Sequence, residues 1–369
     1  MPDITDHGPV DNVLPDMARK GRGAVGNPTG RYEPEVRLAT HDGWDLADDL
    51  PPLRTTLTEE TPRTAIAYND SPDIPFDRSI NPYRGCEHGC IYCYARPSHA
   101  RFGLSPGLDF ETCLFAKRDL ARVLEADLAR PGYSPQPITL GANTDPYQPV
   151  ERTRRDTRAV LEVLAACDHP VVIITKSALV MRDLDILAAM AARNLCSVAV
   201  SVTTLDRDLA RRMEPRAATP SRRLEAIRAL QGAGVPATVM AAPMIPSLND
   251  WELERILEAA VAAGASEAGY TLLRLPYELK DLFAQWLEAH EPGKARHVLN
   301  QVRECRGGAL NVSRFGERLR GRGTYADLLA DRFHLACRRL GLNARDGDHE
   351  LDCSRFRPPV LPGGQMSLF

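Results

Sequence analysis

Asn81-Pro82-Tyr83-Arg84-Gly85-Cys86-Glu87-His88-Gly89-Cys90-Ile91-Tyr92-Cys93-Tyr94 sets three thiols within eight residues, in a loop punctuated by two glycines. Thiolates at this spacing can converge on one metal centre. Soft sulfur ligands select zinc or an iron–sulfur cluster, and three cysteines on a four-iron cube leave one iron open to a substrate or cofactor. Zinc would ask for a fourth ligand, which His88 or His99 could supply. Structural zinc sites usually come as paired knuckles, and no second CxxC exists in this chain.

Outward from this loop the hydrophobic pattern becomes regular. It predicts strands over 79–83, 138–141, 171–175, 197–203, 236–242 and 268–274. Helices are expected over 116–129, 153–167, 182–193, 220–233 and 250–263, with another near 278–289. Runs such as Val171-Val172-Ile173-Ile174 suit strands buried on both faces, as in a parallel sheet covered by helices. Six strands, each followed by a helix, point to an α/β fold, an open six-stranded (β/α)6 partial TIM barrel. Ligands of such folds gather at the C-terminal ends of the strands.

The flanks differ in composition. Residues 1–75 read as an extended, largely irregular N-terminal arm, 76–290 as the core, 291–352 as a helical C-terminal extension and 353–369 as a flexible tail. In the arm, Lys20-Gly21-Arg22-Gly23-Ala24 with Arg31 combines flexible glycines and guanidinium groups, a composition suited to phosphate or acidic protein surface, or to a solvated tail. An arm over 21–31 that folds across the barrel mouth is one expectation. Arg314, Arg318, Arg320 and Arg322 form the densest basic patch, fit for a nucleic-acid backbone or for solvent.

With 46 basic and 49 acidic residues among 369, the net charge of -3 does not mark a nucleic-acid protein, so any such surface must be local. No apolar run reaches membrane-spanning length, and nine mostly scattered cysteines fit a reducing compartment. A cytoplasmic protein is expected.

The CxxxCxxC spacing with Tyr92 just before the last cysteine resembles the cluster loop of the radical S-adenosylmethionine (SAM) enzymes. Thr144-Asp145-Pro146-Tyr147-Gln148-Pro149, Thr175-Lys176-Ser177, Ser201-Val202-Thr203-Thr204-Leu205-Asp206 and Glu214-Pro215 resemble the spore photoproduct lyase-like branch, often called DNA repair photolyases. The resemblance spans roughly 76–290. It implies a [4Fe-4S] cluster on Cys86, Cys90 and Cys93, SAM on the open iron, and cleavage of SAM to a 5'-deoxyadenosyl radical that abstracts hydrogen. An electron donor such as flavodoxin or ferredoxin follows from the same chemistry.

By the same resemblance Lys176 meets the SAM carboxylate and Ser201 hydrogen-bonds SAM. Asn143, Thr144 and Asp145 occupy the place where many relatives hold the SAM ammonium, with Asp145 as its partner. Glu214 and Arg223 are candidates for the cofactor's polar edge or for a helix-surface salt bridge, and Met240 to Pro243 for the adenine side. The lyases return a hydrogen from a cysteine. Cys113 is the candidate here, although its flanks also suit a structural segment. The other cysteines and the isolated histidines, His169 among them, read as packing or surface residues.

Gln365-Met366-Ser367-Leu368-Phe369 resembles the short motif by which bacterial repair proteins dock on the DNA sliding clamp; the alternative is packing of Leu368 and Phe369 on their own barrel. Taken together, the residues imply a radical SAM enzyme acting on DNA. Radical modification of RNA, protein or a small molecule is the enzymatic alternative, and a clamp-associated binding protein with a structural metal is the other.

Overall fold

The computed structural model describes residues 17–34, 36, 53–344 and 350–360. The segment read as an irregular arm supplies two strands, β1 (Thr56–Glu60) and β2 (Ala67–Tyr68). The strand expected over 79–83 is two, β3 (Arg78–Ile80) and β4 (Tyr83–Arg84), in different sheets. Pro82 accounts for the break, because it has no N–H to continue a ladder. A short helix, α1 (Asp109–Thr112), runs straight into β5 (Cys113–Lys117). β5 pairs in parallel with β1, Thr56 opposite Cys113, and antiparallel with β4. The helix expected over 116–129 therefore starts late, as α2 (Leu120–Leu128); Leu114 and Ala116 are buried at a period of two, which is a strand pattern.

From here sequence and structure run closely together. β6 (Ile138–Leu140) leads through α3 (Glu151–Arg154) and α4 (Asp156–Ala166) to β7 (Val171–Thr175). α5 (Leu184–Ala191) leads to β8 (Cys196–Ser201), and α6 (Arg207–Met213) and α7 (Pro220–Gly232) lead to β9 (Ala237–Met244). α8 (Leu253–Ala262) leads to β10 (Glu267–Leu272), followed by α9 (Leu279–His290), α10 (Pro292–Glu304) and α11 (Thr324–Leu340). The seven-stranded sheet has the order β10-β9-β8-β7-β6-β3-β2. Its first six members are parallel, and only β2 runs against its neighbour. This is the open (β/α)6 partial barrel, with β10 and β2 left as edges.

Two apolar layers hold it. Val171, Ile173, Val198 and Val239 are buried beneath Val160, Leu164, Ile227, Ile256 and Leu257 of the covering helices. Each fully buried side chain of this kind stabilises by roughly 1.5–3 kcal/mol. The second layer joins the cysteine loop to its supports: Ile91 and Tyr92 pack with Leu209, Met213, Phe283, Trp286 and Val298, and also with Ala24 and Val25 of the arm.

The edge at β10 is capped by the arginine-rich segment. Leu272 N–H donates to Leu319 O at 2.8 Å, and buried Arg306 bridges Leu273 O (2.7 Å) to Glu317 O and Arg318 O (both 2.9 Å). Arg318 grips both carboxylate oxygens of Asp73 through its Nε and Nη2, so part of the basic patch is spent inside the chain. Beyond α11, Phe356 packs against Tyr133 and His169. Among the described residues no helix is long and apolar enough to cross a membrane. Gln365, Met366, Leu368 and Phe369 lie outside the described residues.

Candidate active site at the cysteine loop

The loop from β4 turns twice at left-handed glycines, Gly85 (φ +75°) and Gly89 (φ +68°). Neither tolerates a side chain: a Cβ on Gly85 would meet Leu114 and Phe110 O, and one on Gly89 would meet Glu111. The backbone is pinned at Cys86 N–H to Phe110 O (2.9 Å) and Ile91 N–H to Met213 O (3.0 Å). Gln148, fully buried after β6, clamps the first turn, donating to Gly85 O at 3.1 Å and accepting from Glu87 N–H at 2.9 Å.

Behind the second turn lies a buried ion pair, Arg96 and Glu111, both without solvent exposure. Arg96 donates to Cys90 O (2.8 Å), Gly89 O (3.0 Å) and Gly107 O (2.8 Å). Glu111 also accepts from Gly23 N–H (3.0 Å) and Ala24 N–H (2.8 Å) of the arm. Such a pair survives burial only when its remaining polar atoms are satisfied, as they are here by backbone groups. The arm therefore packs against the back of the cysteine loop. Further along, Arg31 forms a two-pronged pair with Glu278 (2.7 and 2.9 Å) and stacks on Tyr277. The solvated-tail alternative is corrected over this stretch: these cations and amides meet carboxylates and carbonyls of their own chain.

Cys86 and Cys90 are buried and Cys93 half-buried, and all three are free thiols. Burial pushes each thiol up; for Cys86 the neighbouring Asp145 and the other two thiols push further, and for Cys90 so does Glu214. Mutually opposed, buried thiols of this sort are stabilised as thiolates by a cationic metal centre, so the donor set suits one. Among the described residues no three His, Cys, Asp or Glu groups form a ready single-ion site. His99, one of the two zinc candidates, turns instead to the backbone, its Nε2 2.9 Å from Cys113 O.

Beside the loop stand the other residues singled out by sequence. Tyr92 O–H lies 3.2 Å from Thr203 Oγ1, and the Lys176 amine lies 5.6 Å from the centre of the Tyr92 ring. Asn81 holds the loop after β6 by accepting from Asn143 N–H (2.9 Å) and Thr144 N–H (3.3 Å), while Thr144 Oγ1 donates to Tyr83 O. Asp145 is fully engaged, accepting from Thr175 Oγ1 (2.7 Å), Tyr147 N–H (2.9 Å) and Lys176 N–H (2.7 Å), with His88 Nδ1 at 3.3 Å. Burial alone would raise its pKa, but His88 and these hydrogen bonds hold it at about 2. Asp145 thus ties the β6 and β7 loops together, and the ammonium role expected for it would require one of these bonds to be exchanged.

Glu214 and Arg223 are a buried pair, not a surface one. Glu214 also accepts from Thr203 Oγ1 (2.7 Å), and Arg223 donates to Ser201 O (3.1 Å) and Ala218 O (2.8 Å). Tyr92, Thr203, Glu214, Arg223 and Ser201 form one continuous network linking the cysteine loop to the end of β8. Cys113 sits apart from it in β5, its sulfur 3.8 Å from Thr112 Oγ1.

Four residues escaped the sequence reading. Glu111, Arg96 and Asn81 carried no spacing signal. Arg274, just past β10, was visible only as a cation at a strand end. Its ring neighbour is Tyr94, the residue after Cys93, at 5.8 Å; burial and then Arg318 lower its pKa, and its buried Nε has no partner. Tyr94 is 49% exposed and donates to Ala142 O.

The radical SAM superfamily model matches residues 80–260. An uncharacterized protein of Mycobacterium tuberculosis is 38% identical over 221 residues, 59% of this chain and 65% of that protein. One from Methanocaldococcus jannaschii is 26% identical over 178 residues, 47% of this chain and 62% of its own. The matched segment thus spans just under two thirds of these relatives. Among solved structures, a spore photoproduct lyase mutant superposes with a TM-score of 0.57 at 18% identity, covering 78% of this chain and 80% of that one. The lyase complexed with dinucleoside spore photoproduct gives 0.55, also at 18% identity and the same coverage. The fold is theirs. The cysteine loop and the family match mark residues 80–260 as a radical SAM superfamily domain, a family whose cofactors are a [4Fe-4S] cluster and SAM, on a fold shared with the spore photoproduct lyase structures.

Proposed function

We propose that the protein is a radical SAM enzyme that abstracts hydrogen from DNA, for repair or modification of a base. One observation carries the DNA part: a half-buried guanidinium, Arg274, with no ion pair among the described residues, stands against the exposed ring of Tyr94, the residue that follows Cys93. A phosphodiester would satisfy that cation, and a base would stack on that ring. Phe315, 53% exposed and stacked under Arg318, extends the same surface. The solved relative bound to a dinucleoside photoproduct supports a substrate of this class.

When bound, the cluster and SAM supply the electron and the 5'-deoxyadenosyl radical. The chain's own part is to hold and to exclude water. Cys86, Cys90 and Cys93 would ligate three irons; Lys176 would neutralise the SAM carboxylate; Ser201, with Asn143 and Thr144, would line its polar edge. Tyr92, fixed by Thr203, would wall the site on the loop side.

The test is anaerobic reconstitution, then 5'-deoxyadenosine formation from SAM with dithionite, alongside salt-dependent DNA binding. Wild type should form deoxyadenosine and Cys90→Ala should not. Arg274→Ala should keep basal SAM cleavage yet weaken DNA binding by roughly tenfold; unchanged DNA affinity would remove DNA from the proposal. If the terminal motif docks on the sliding clamp, deletion of 365–369 abolishes clamp association and spares SAM cleavage.

A further inference from the structure

Exposed aromatic rings gather beyond the end of β10, and each lies against a guanidinium. Arg274 stands at Tyr94, and three residues further on the ring of Tyr277 lies under Arg31, 4.1 Å from its centre. Arg31 also covers Tyr32 at 4.8 Å, so the two tyrosines share one cation. On the other side of Arg274 comes Arg318, which lies over Phe315 at 4.7 Å. The two groups of rings are joined twice through the chain. Arg274 and Tyr277 are three residues apart, and Tyr94 is three residues before Pro97, whose carbonyl accepts from Arg31 at 3.5 Å. Three extended residues reach at most about 11 Å, so the rings share one stretch of surface. Tyr32 and Tyr277 are 60% and 63% exposed, more than Tyr94 itself. Tyr277 has a left-handed backbone, φ +50°, which a bulky side chain adopts only under strain, and in that conformation its ring stays at the surface.

We propose that these rings form a stacking platform for a single strand of DNA, so that the enzyme takes its substrate base from unpaired DNA and not from an intact duplex. The inference rests on the DNA reading above and adds the form in which the DNA is bound. In a duplex every base is already stacked on both sides, so exposed rings find no free base face there; an unpaired strand offers one. The charges point the same way. Arg31 is neutralised by Glu278 and Arg318 by Asp73. Only Arg274, and Arg101 near Tyr32, make no ion pair at this surface among the described residues. Tight duplex binding draws on many phosphate contacts, which two uncompensated cations do not supply. Stacking must therefore carry the affinity, with Arg274 holding a phosphate beside Tyr94. Because Tyr94 follows Cys93, a base stacked on it lies next to the cysteine loop.

The experiment measures binding of full-length reconstituted protein to a labelled single-stranded oligonucleotide, to the same strand annealed to its complement, and to the RNA strand of the same sequence. The single DNA strand should bind roughly tenfold more tightly than the duplex, and salt should weaken it only shallowly, with about one to two counterions released. Tyr277→Leu and Tyr32→Leu should each weaken it roughly tenfold, the usual loss for one stacked base, while Tyr277→Phe and Tyr32→Phe keep the ring face and bind as wild type does. Dithionite-driven deoxyadenosine formation should be unchanged in all four, because neither ring is assigned to the cluster or SAM. Should Tyr277→Leu loosen the arm, seen as faster proteolysis, the readouts move to Tyr32→Leu and Phe315→Leu, where the same loss is expected. Duplex bound as tightly as the single strand, or Leu variants that bind the single strand as wild type does, would overturn the proposal and leave the DNA reading standing. RNA bound more tightly than DNA would also overturn it, giving the surface to RNA. Binding of neither DNA form would remove the DNA reading and the platform with it.

Discussion

At the scale of single residues, the cysteine loop is held by groups that bind no cofactor themselves. Gln148 uses both ends of its amide on the first turn. Gln148→Ala leaves Glu87 N–H unpaired and should weaken iron binding by roughly 10- to 100-fold, as loss of a supporting ligand contact does, read by chelator competition. Glu111 is the hub of the second turn. Glu111→Ala strands the Arg96 guanidinium without a counter-charge in a dry interior, and should cost roughly 3–5 kcal/mol in chemical denaturation. If either variant matches wild type in its assay, the loop is held by something else.

At the scale of elements, the arm and the loop form one structural unit. A Cβ on Gly23 would come within 1.7 Å of Gly89 O, so the two backbones touch directly. Gly23→Ala should force the arm off the loop and cost roughly 1–3 kcal/mol, the usual range for overpacking, with a matching fall in iron per chain. A variant as stable and as iron-replete as wild type would show that the arm is dispensable. The composition around Gly21 and Arg22 did register in the sequence as glycines beside cations, but the residue they meet is Glu111, 89 positions beyond Arg22, whose carbonyl takes the guanidinium and whose carboxylate takes the Gly23 and Ala24 amides. No local pattern encodes a contact of that reach. The misplaced helix start has a similar origin: β5 is a strand because β1 lies alongside it, and β1 comes from a segment with little periodicity of its own.

At the scale of the whole molecule, the sheet is stitched by segments far apart in sequence. His169 shows the consequence for stability. It is fully buried, accepts from Tyr133 O–H at 2.7 Å and donates to Pro170 O at 3.0 Å, with Phe356 of the C-terminal segment against its ring. Burial lowers its pKa from 6.5 to about 4. The unfolded chain therefore takes up this proton first as pH falls, so stability drops between about pH 6.5 and pH 4, by roughly 3 kcal/mol in all. Denaturation midpoints measured across that window should slope upward with pH, and His169→Phe should flatten the slope; an unchanged slope would exclude His169 as its source.

The sequence by itself determined the class of sheet, the number of parallel strands and the thiol triad, because each is written in short-range pattern: apolar runs of strand length, helical periods between them, and three cysteines in one turn-rich loop. The tertiary structure alone decided what the charged residues do. Glu214 and Arg223 neutralise each other, Asp145 is spent on loop backbones, and Arg318 is held by Asp73, while Arg274 and Arg152 make no ion pair among the described residues. A charge's role depends on which opposite charge lies within a few ångströms, and that neighbour is supplied by the fold from anywhere along the chain.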